Sequence, residues 1–367
     1  STCGGCSAGC GILVKTRDAR PLKLEGNPAN PISKGALCAS GQSSILDLYD
    51  PDRSKEPAEI KNGAEVVIKW ADLDAQVKTQ LAALKGKTRI VTGPIDSPST
   101  KAVISEFLTA VGGGKHYEID VTSVEETIAL AANESYGKAI VPNYHFDKAK
   151  VILSIDADFL GTWISPVEYG KQFASRRKIK DATSTINKFY AAESVPTVTG
   201  SNADKRIVLK SGDGRRFATA VAVALGKLGV GAAASATAGY TVEGLASEIG
   251  VDAKLIEQIA KDLLAAKGES LVVAGGTSSQ TTEAVDLQIA VNLLNSALDN
   301  DGKTVDHVNN RGESAGNYSA NLASLQKELN AGEVGVLFVY GTNPAYQLPS
   351  LNLKDAFAKA GLYVSMA

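Results

Sequence analysis

Cysteine and methionine are nearly absent from this sequence. Of 367 residues four are Cys, all within the first 38, and the one Met is Met366. A disulfide framework spreads its cysteines to staple distant loops and suits small secreted chains. Four thiols in one corner of a long chain point to a local site instead. Basic excess is lacking too: 38 Lys and Arg stand against 40 Asp and Glu, a net charge of −2. Nucleic acid calls for a concentrated basic face, so it is not an expected partner. No uninterrupted apolar run approaches the ~20 residues of a membrane-spanning helix. The nearest, Ala218–Tyr240, is rich in Ala and Gly and carries Lys227, which predicts a small-residue helix followed by a loop. No G-x-G-x-x-G fingerprint occurs, so a nicotinamide site has no support. His116, His145 and His307 have no neighbour at metal-ligand spacing and are expected in surface or packing roles. No signal peptide is present, but the chain starts at Ser1 rather than Met, as a processed or trimmed product would.

What is present is an ordinary globular composition, 44% apolar, long enough for two or three domains at ~100–200 residues each. Residues 1–58 differ from the rest. They are rich in Gly, Pro and Asn, and the runs Ile12–Thr16 and Pro21–Glu25 flank Arg17-Asp-Ala-Arg20, a predicted hairpin. So short a module hides little surface, and a metal centre would supply the missing constraint. After Pro57 strands and helices alternate. Strands are predicted at Val66–Trp70, Arg89–Gly93, Lys150–Ser154, Leu271–Ala274 and Val334–Tyr340, and helices at Leu73–Leu84, Pro98–Val111, Pro166–Arg176 and Thr282–Ala297. Such alternation implies α/β architecture, a parallel sheet with helices on both faces. The Gly231–Gly239 tract is predicted to be a loop.

The cysteine spacing is Cys3-x2-Cys6-x3-Cys10-x27-Cys38. Three thiolates in a tight loop can hold three corners of a cuboidal 4Fe-4S cluster, and a distant fourth closes the cage. Gly4, Gly5, Gly9 and Gly11 let the backbone wrap such a cluster and aim N–H groups at its sulfurs. Structural zinc is the alternative, although zinc sites usually pair C-x2-4-C with a second close pair. Four incidental thiols are another.

These residues carry a resemblance. Cys3-Gly-Gly-Cys-Ser-Ala-Gly-Cys-Gly11, Pro21–Pro28, Gly35-Ala-Leu-Cys38 with Gly41-Gln42, and Leu48–Arg53 resemble the N-terminal cluster domain of molybdopterin oxidoreductases. Asp156-Ala-Asp-Phe-Leu-Gly-Thr-Trp-Ile-Ser-Pro166, Thr199–Asp204 and Val339–Tyr346 are most similar to one branch, the molybdopterin-like iron–sulfur subunit of alternative complex III, which is a membrane quinol oxidoreductase. The resemblance implies a 4Fe-4S module at 1–58 on two α/β lobes. The first lobe, 59–148 and 268–367, would be interrupted by the second at 149–267, and the chain would be truncated at its C-terminus before a further barrel domain. Implied partners are other iron–sulfur modules, haem c subunits and quinol-binding integral membrane subunits. The implied location is the periplasmic face of the bacterial inner membrane.

Three features speak against a molybdenum cofactor. With Cys3, Cys6, Cys10 and Cys38 given to the cluster no thiolate is left for the metal, although Ser or Asp could replace one. Ser40 stands where catalytic relatives place Lys or Arg between cluster and pterin. Ile155-Asp-Ala-Asp158 puts two carboxylates where a dinucleotide's phosphates require N–H donors. The expectation is therefore an electron-transfer and scaffold subunit with no catalytic residues and no molybdenum cofactor. The alternatives are an active molybdopterin-guanine-dinucleotide oxidoreductase and the large iron–sulfur subunit of NADH dehydrogenase. Gly341-Thr-Asn-Pro344, which matches the family's pterin-side loop, is expected to persist as a turn capped by Asn343.

Overall fold

The computed structural model describes residues 1–6, 8–95, 97–120, 124–179, 181–311 and 318–366. Ser7 and Ala367, both in stretches quoted above, lie outside the described residues. The chain forms two compact units, one built from residues 1–42 and 122–315, the other from 43–121 and 316–367.

In the first unit, β1 (Ile12–Arg17) and β2 (Arg20–Gly26) pair antiparallel as predicted. Their two linking residues, Asp18 and Ala19, both take positive φ, 50° and 61°. That is the backbone of a type I′ hairpin turn, here made without glycine. The unit's main sheet is parallel, in the order β10 (Lys205–Val208), β9 (Lys188–Glu193), β8 (Val151–Ile155), β11 (Ser270–Ala274). Side chains alternate across it, as strand geometry requires. Leu153 and Ile155 enter a core with helices Gly214–Lys227, Ala253–Ala265 and Ala284–Ala297. Ile152, Phe189, Leu271 and Val273 enter a second core with Phe146, Phe159, Trp163, Tyr169 and Phe173. There Phe146 stacks on Phe159 at 4.3 Å between centroids. A short antiparallel pair, β7 (Asn143–Tyr144) with β12 (Val305–Asp306), flanks that aromatic core.

The second unit holds another parallel sheet, in the order β14 (Leu362–Met366), β13 (Val336–Tyr340), β5 (Thr88–Thr92), β6 (Gly114–Glu118). Helices Trp70–Ala83 and Pro98–Ala110 supply Leu81, Ile104, Phe107 and Leu108 to one face, against Ile90, Val336 and Phe338. Helix Tyr318–Asn330 supplies Leu322, Leu325 and Leu329 to the other, against Val91, Leu337 and Val339. Ser97 caps the Pro98 helix, its hydroxyl accepting from Thr100 N–H at 3.2 Å. A second hairpin, β3 (Ala58–Lys61) with β4 (Ala64–Val67), turns at Asn62-Gly63, both at positive φ.

The structure departs from expectation in three places. Val66–Trp70 is not a strand throughout: β4 ends at Val67 and a helix opens at Trp70. Gly231–Ala236 is helical, with Ala233 fully buried. Small residues there let it pack on helix Gly214–Lys227, where a Cβ on Gly226 would lie 2.8 Å from Ala234 Cα. The division of the chain also differs. The stretch between the two parts of the second unit runs 122–315 rather than 149–267, because β11 pairs with β8 and helix Val124–Tyr136 packs on helix Ala284–Ala297. Residues 1–42 group with that stretch and residues 43–58 with the second unit. Among the described residues no helix is long and apolar enough to cross a membrane.

Candidate metal centre

None of the four cysteines forms a disulfide. Three sit on the loop that leads into β1. Cys3 N–H donates to the Cys10 carbonyl at 2.8 Å, and the Thr2–Gly11 bridge closes the loop beside it. Gly9, at φ 56°, makes the reversal between Cys6 and Cys10. Cys10 is buried, Cys3 half-buried and Cys6 exposed. Cys38 opens the short helix Ala39–Ser43, where its Sγ accepts from Gly41 N–H at 3.3 Å. A Cβ on Gly41 would stand 3.6 Å from Cys3 Sγ, so the helix carrying the fourth thiol lies directly against the first. Burial pushes the Cys10 thiol above its ordinary value, and the neighbouring Cys6, Cys3 and Cys38 push it further.

Two glycines make this convergence possible. A Cβ at Gly11 would meet Asn30 Cβ at 2.7 Å, and one at Gly26 would meet the Gly35 carbonyl oxygen at 2.4 Å. Both ends of the hairpin thus touch the loop that leads to Cys38. Asn30 organises that loop, its Oδ1 accepting from Ile32 N–H, Ser33 N–H and Ser33 Oγ at 2.8–3.1 Å. Lys23 Nζ donates to Gln42 Oε1 at 2.7 Å, tying β2 to the Cys38 helix. Sequence reasoning did not single out Asn30 or Lys23; the Asn-Pro-x-Ser run was the available signal for the first, since Asx turns take this form. Gly4, by contrast, has nothing near its missing side chain.

Four thiolates are a donor set for either a 4Fe-4S cluster or a single zinc ion. Among the described residues no group of three or more His, Cys, Asp or Glu side chains stands gathered to hold a metal ion. The histidines are engaged elsewhere: His116 with Thr92 Oγ1 at 2.9 Å, His307 with Asp301 at 3.0 Å, His145 with Asp306 at 3.7 Å.

The carboxyl edge of the first unit's sheet is the second candidate region. From β8 the chain proceeds to β9 and β10 on one side, while β11 lies on the other, so the topological switch point falls between β8 and β11. Asp156 stands there, buried, at φ 55°. Its Oδ1 accepts from Ser194 N–H at 2.9 Å, Ser194 Oγ at 3.0 Å and Ser278 Oγ at 3.1 Å. A Cβ on Gly276 would come within 2.3 Å of the Asp156 carbonyl oxygen, so the loops after β8 and β11 meet backbone to backbone. Asp158 turns to the next loop, taking hydrogen bonds from Thr199 N–H and Oγ1 at 3.2 and 2.7 Å. Glu193, at the end of β9, is buried against Arg206 Nε and Thr197 Oγ1, each at 2.6 Å. In the second unit Asn343 caps helix Pro344–Gln347 as expected, accepting from Tyr346 N–H at 3.2 Å.

Residues 1–50 match the model of the molybdopterin oxidoreductase Fe4S4 domain. These residues define the class of that segment: the chain carries a molybdopterin oxidoreductase 4Fe-4S domain. Over nearly its whole length it is similar to the menaquinone reductase molybdopterin-binding-like subunit of Nitratidesulfovibrio vulgaris, 28% identical over 98% of this chain and 54% of that protein. One sulfite dehydrogenase subunit, from Allochromatium vinosum, is 38% identical over 24% of this chain and 10% of its own length. Among solved structures, acetylene hydratase from Pelobacter acetylenicus shares the fold, with a TM-score of 0.71 at 12% identity over 99% of this chain and 60% of that one. The chain thus spans about half the length of the menaquinone reductase protein. Both curated relatives are subunits of redox enzymes by name.

Proposed function

We propose that this protein is a non-catalytic electron-transfer and scaffold subunit of a membrane-associated quinol oxidoreductase of the alternative complex III kind. In this reading Cys3, Cys6, Cys10 and Cys38 are the protein ligands of one 4Fe-4S cluster, and the molybdenum cofactor has been lost. The cluster supplies one-electron chemistry when bound. The chain's own residues set its surroundings: Gly41 N–H donates to the Cys38 sulfur, and hydrogen bonds of that kind tune potentials. Cys6 and Cys38 are exposed, which leaves the site at the protein surface, accessible to a redox partner.

The observation that carries the loss of the cofactor is the carboxyl edge of the first unit's sheet. Dinucleotide phosphates need N–H donors at a switch point. Here Asp156 and Asp158 occupy the loop after β8 and Glu193 ends β9, and the N–H groups of Ser194 and Thr199 are taken by the two aspartates. At 4 Å a carboxylate and a phosphate repel by ~1 kcal/mol in water and ~4 kcal/mol at the effective dielectric near a protein surface. Partners of this protein would be iron–sulfur modules, haem c subunits and quinol-binding membrane proteins, on the periplasmic face of the bacterial inner membrane. Metal analysis and pterin extraction of the purified protein test the reading. About four irons per chain, no molybdenum or tungsten and no fluorescent pterin oxidation product are expected. A stoichiometric pterin yield with bound metal overturns it, and recovery in the cytoplasmic fraction of intact cells overturns the location.

A further inference from the structure

The amino edge of the first unit's sheet has the opposite character to its carboxyl edge. An open cleft of about 550 Å³ lies there, between the segments entering β8 and β11 and the end of helix Pro166–Arg176. Its charged lining is Lys148, Lys150, Arg176 and Lys303 against Asp147 and Glu269, an excess of two positive charges in a chain whose net charge is −2. Lys150 is neutralised by Glu269 at 2.5 Å. The other three cations have no carboxylate partner among the described residues. Lys148 Nζ reaches only the Lys303 carbonyl, at 3.5 Å. Lys303 Nζ lies over Gly268, where a Cβ would come within 2.7 Å of it, and Gly268 keeps that space clear at φ 78°.

Arg176 is the most telling. The stretch 122–315 contains five other arginines, Arg177, Arg206, Arg215, Arg216 and Arg311, and each meets a carboxylate. Among the described residues Arg176 meets none. A planar guanidinium can grip two oxygens of one phosphate, while lysines supply point charge. We infer that this cleft is a binding site for a phosphate group, held by Arg176 with Lys148 and Lys303. The cleft is roomier than one phosphate needs, so the group arrives either as inorganic phosphate or as the phosphomonoester of a small molecule.

Isothermal titration of the intact, cluster-containing protein at constant ionic strength tests this, with inorganic phosphate in one arm and glycerol 3-phosphate in the other. Saturable one-site binding is expected in at least one arm, and the tighter arm identifies the source. Arg176→Gln and Lys303→Gln should each weaken it by about tenfold or more, the value of a charge-assisted hydrogen bond. Glu269→Gln exchanges one exposed side chain for another, frees Lys150 and should tighten binding. That gain cannot come from a misfolded variant. Absence of saturable binding in both arms overturns the inference. So does binding that Arg176→Gln, Lys303→Gln and Glu269→Gln all leave unchanged.

Discussion

Glu328 accepts from Arg89 Nε at 2.6 Å and from Lys115 Nζ at 2.5 Å. Arg89 is buried with it, whereas the lysine is 58% exposed. Removing the carboxylate therefore strands one buried guanidinium, and Glu328→Ala should cost ~3–5 kcal/mol in chemical denaturation. Lys115→Ala should cost under ~1 kcal/mol, as exposed pairs do. Burial alone would raise the Glu328 carboxyl, but hydrogen bonds from Arg89 and Lys115 outweigh it and hold the group below its ordinary 4.5. A depressed folded value means the stabilisation is complete above about 4.5 and is lost as pH falls through the lower folded one. Wild type should lose stability more steeply than Glu328→Ala as pH is lowered from 5. Parallel curves would show that the pair does not govern the acid limb. At the metal centre, each of the four Cys→Ser variants should lose or convert the cluster, read by visible absorption and paramagnetic resonance. Cys10→Ser should also destabilise the apoprotein more than Cys6→Ser, because only Cys10 is buried. A spectrum that survives all four replacements contradicts the ligand assignment.

At the scale of elements, the β1–β2 hairpin turns through Ala19 at φ 61°. An alanine held there is strained by ~1 kcal/mol or more, and glycine relieves it. Ala19→Gly should thus raise the thermal midpoint slightly, by a gain of ~0.5 kcal/mol after the extra unfolded-state entropy is subtracted. A fall instead would mean that Asp18-Ala19 is not the turn. The hairpin itself was legible, because alternating runs bounded a short polar link, though no Asn-Gly marked the turn. Caps and Pro starts made Pro98–Ala110 and Pro166–Arg176 legible in the same way. The helix Gly231–Ala236 was not, since its stability comes from close approach to Gly226 rather than from any apolar period. The neighbour of β11 was not legible either. A run such as Leu271–Ala274 is equally apolar whichever sheet receives it, and only pairing with β8 fixes the chain's division. At the candidate site the four cysteines were visible from spacing alone. The roles of Asp156 and Asp158 as acceptors for loops 38 and 41 residues away were not, because such partners are set by tertiary structure.

The whole molecule consists of two units with separate cores, so its unfolding need not be a single transition. The cysteines belong to one unit and the Arg89–Glu328 pair to the other. Stripping iron with a chelator should therefore raise amide exchange in residues 1–42, with strands β5 and β13 unchanged. Glu328→Ala should do the reverse. Uniform loss of protection in both experiments would mean that the units unfold as one. The contact between Gly26 and the Gly35 carbonyl has a further consequence, for how the protein matures. Zinc fingers have no ordered site until metal arrives, and metal affinity is spent on folding. Here backbone already bridges the 27 residues separating Cys10 from Cys38, so closing that loop does not fall to the inorganic centre alone. The hairpin's own backbone contact therefore shares the closing of that loop with the metal centre, which has only to bring the last thiol into place.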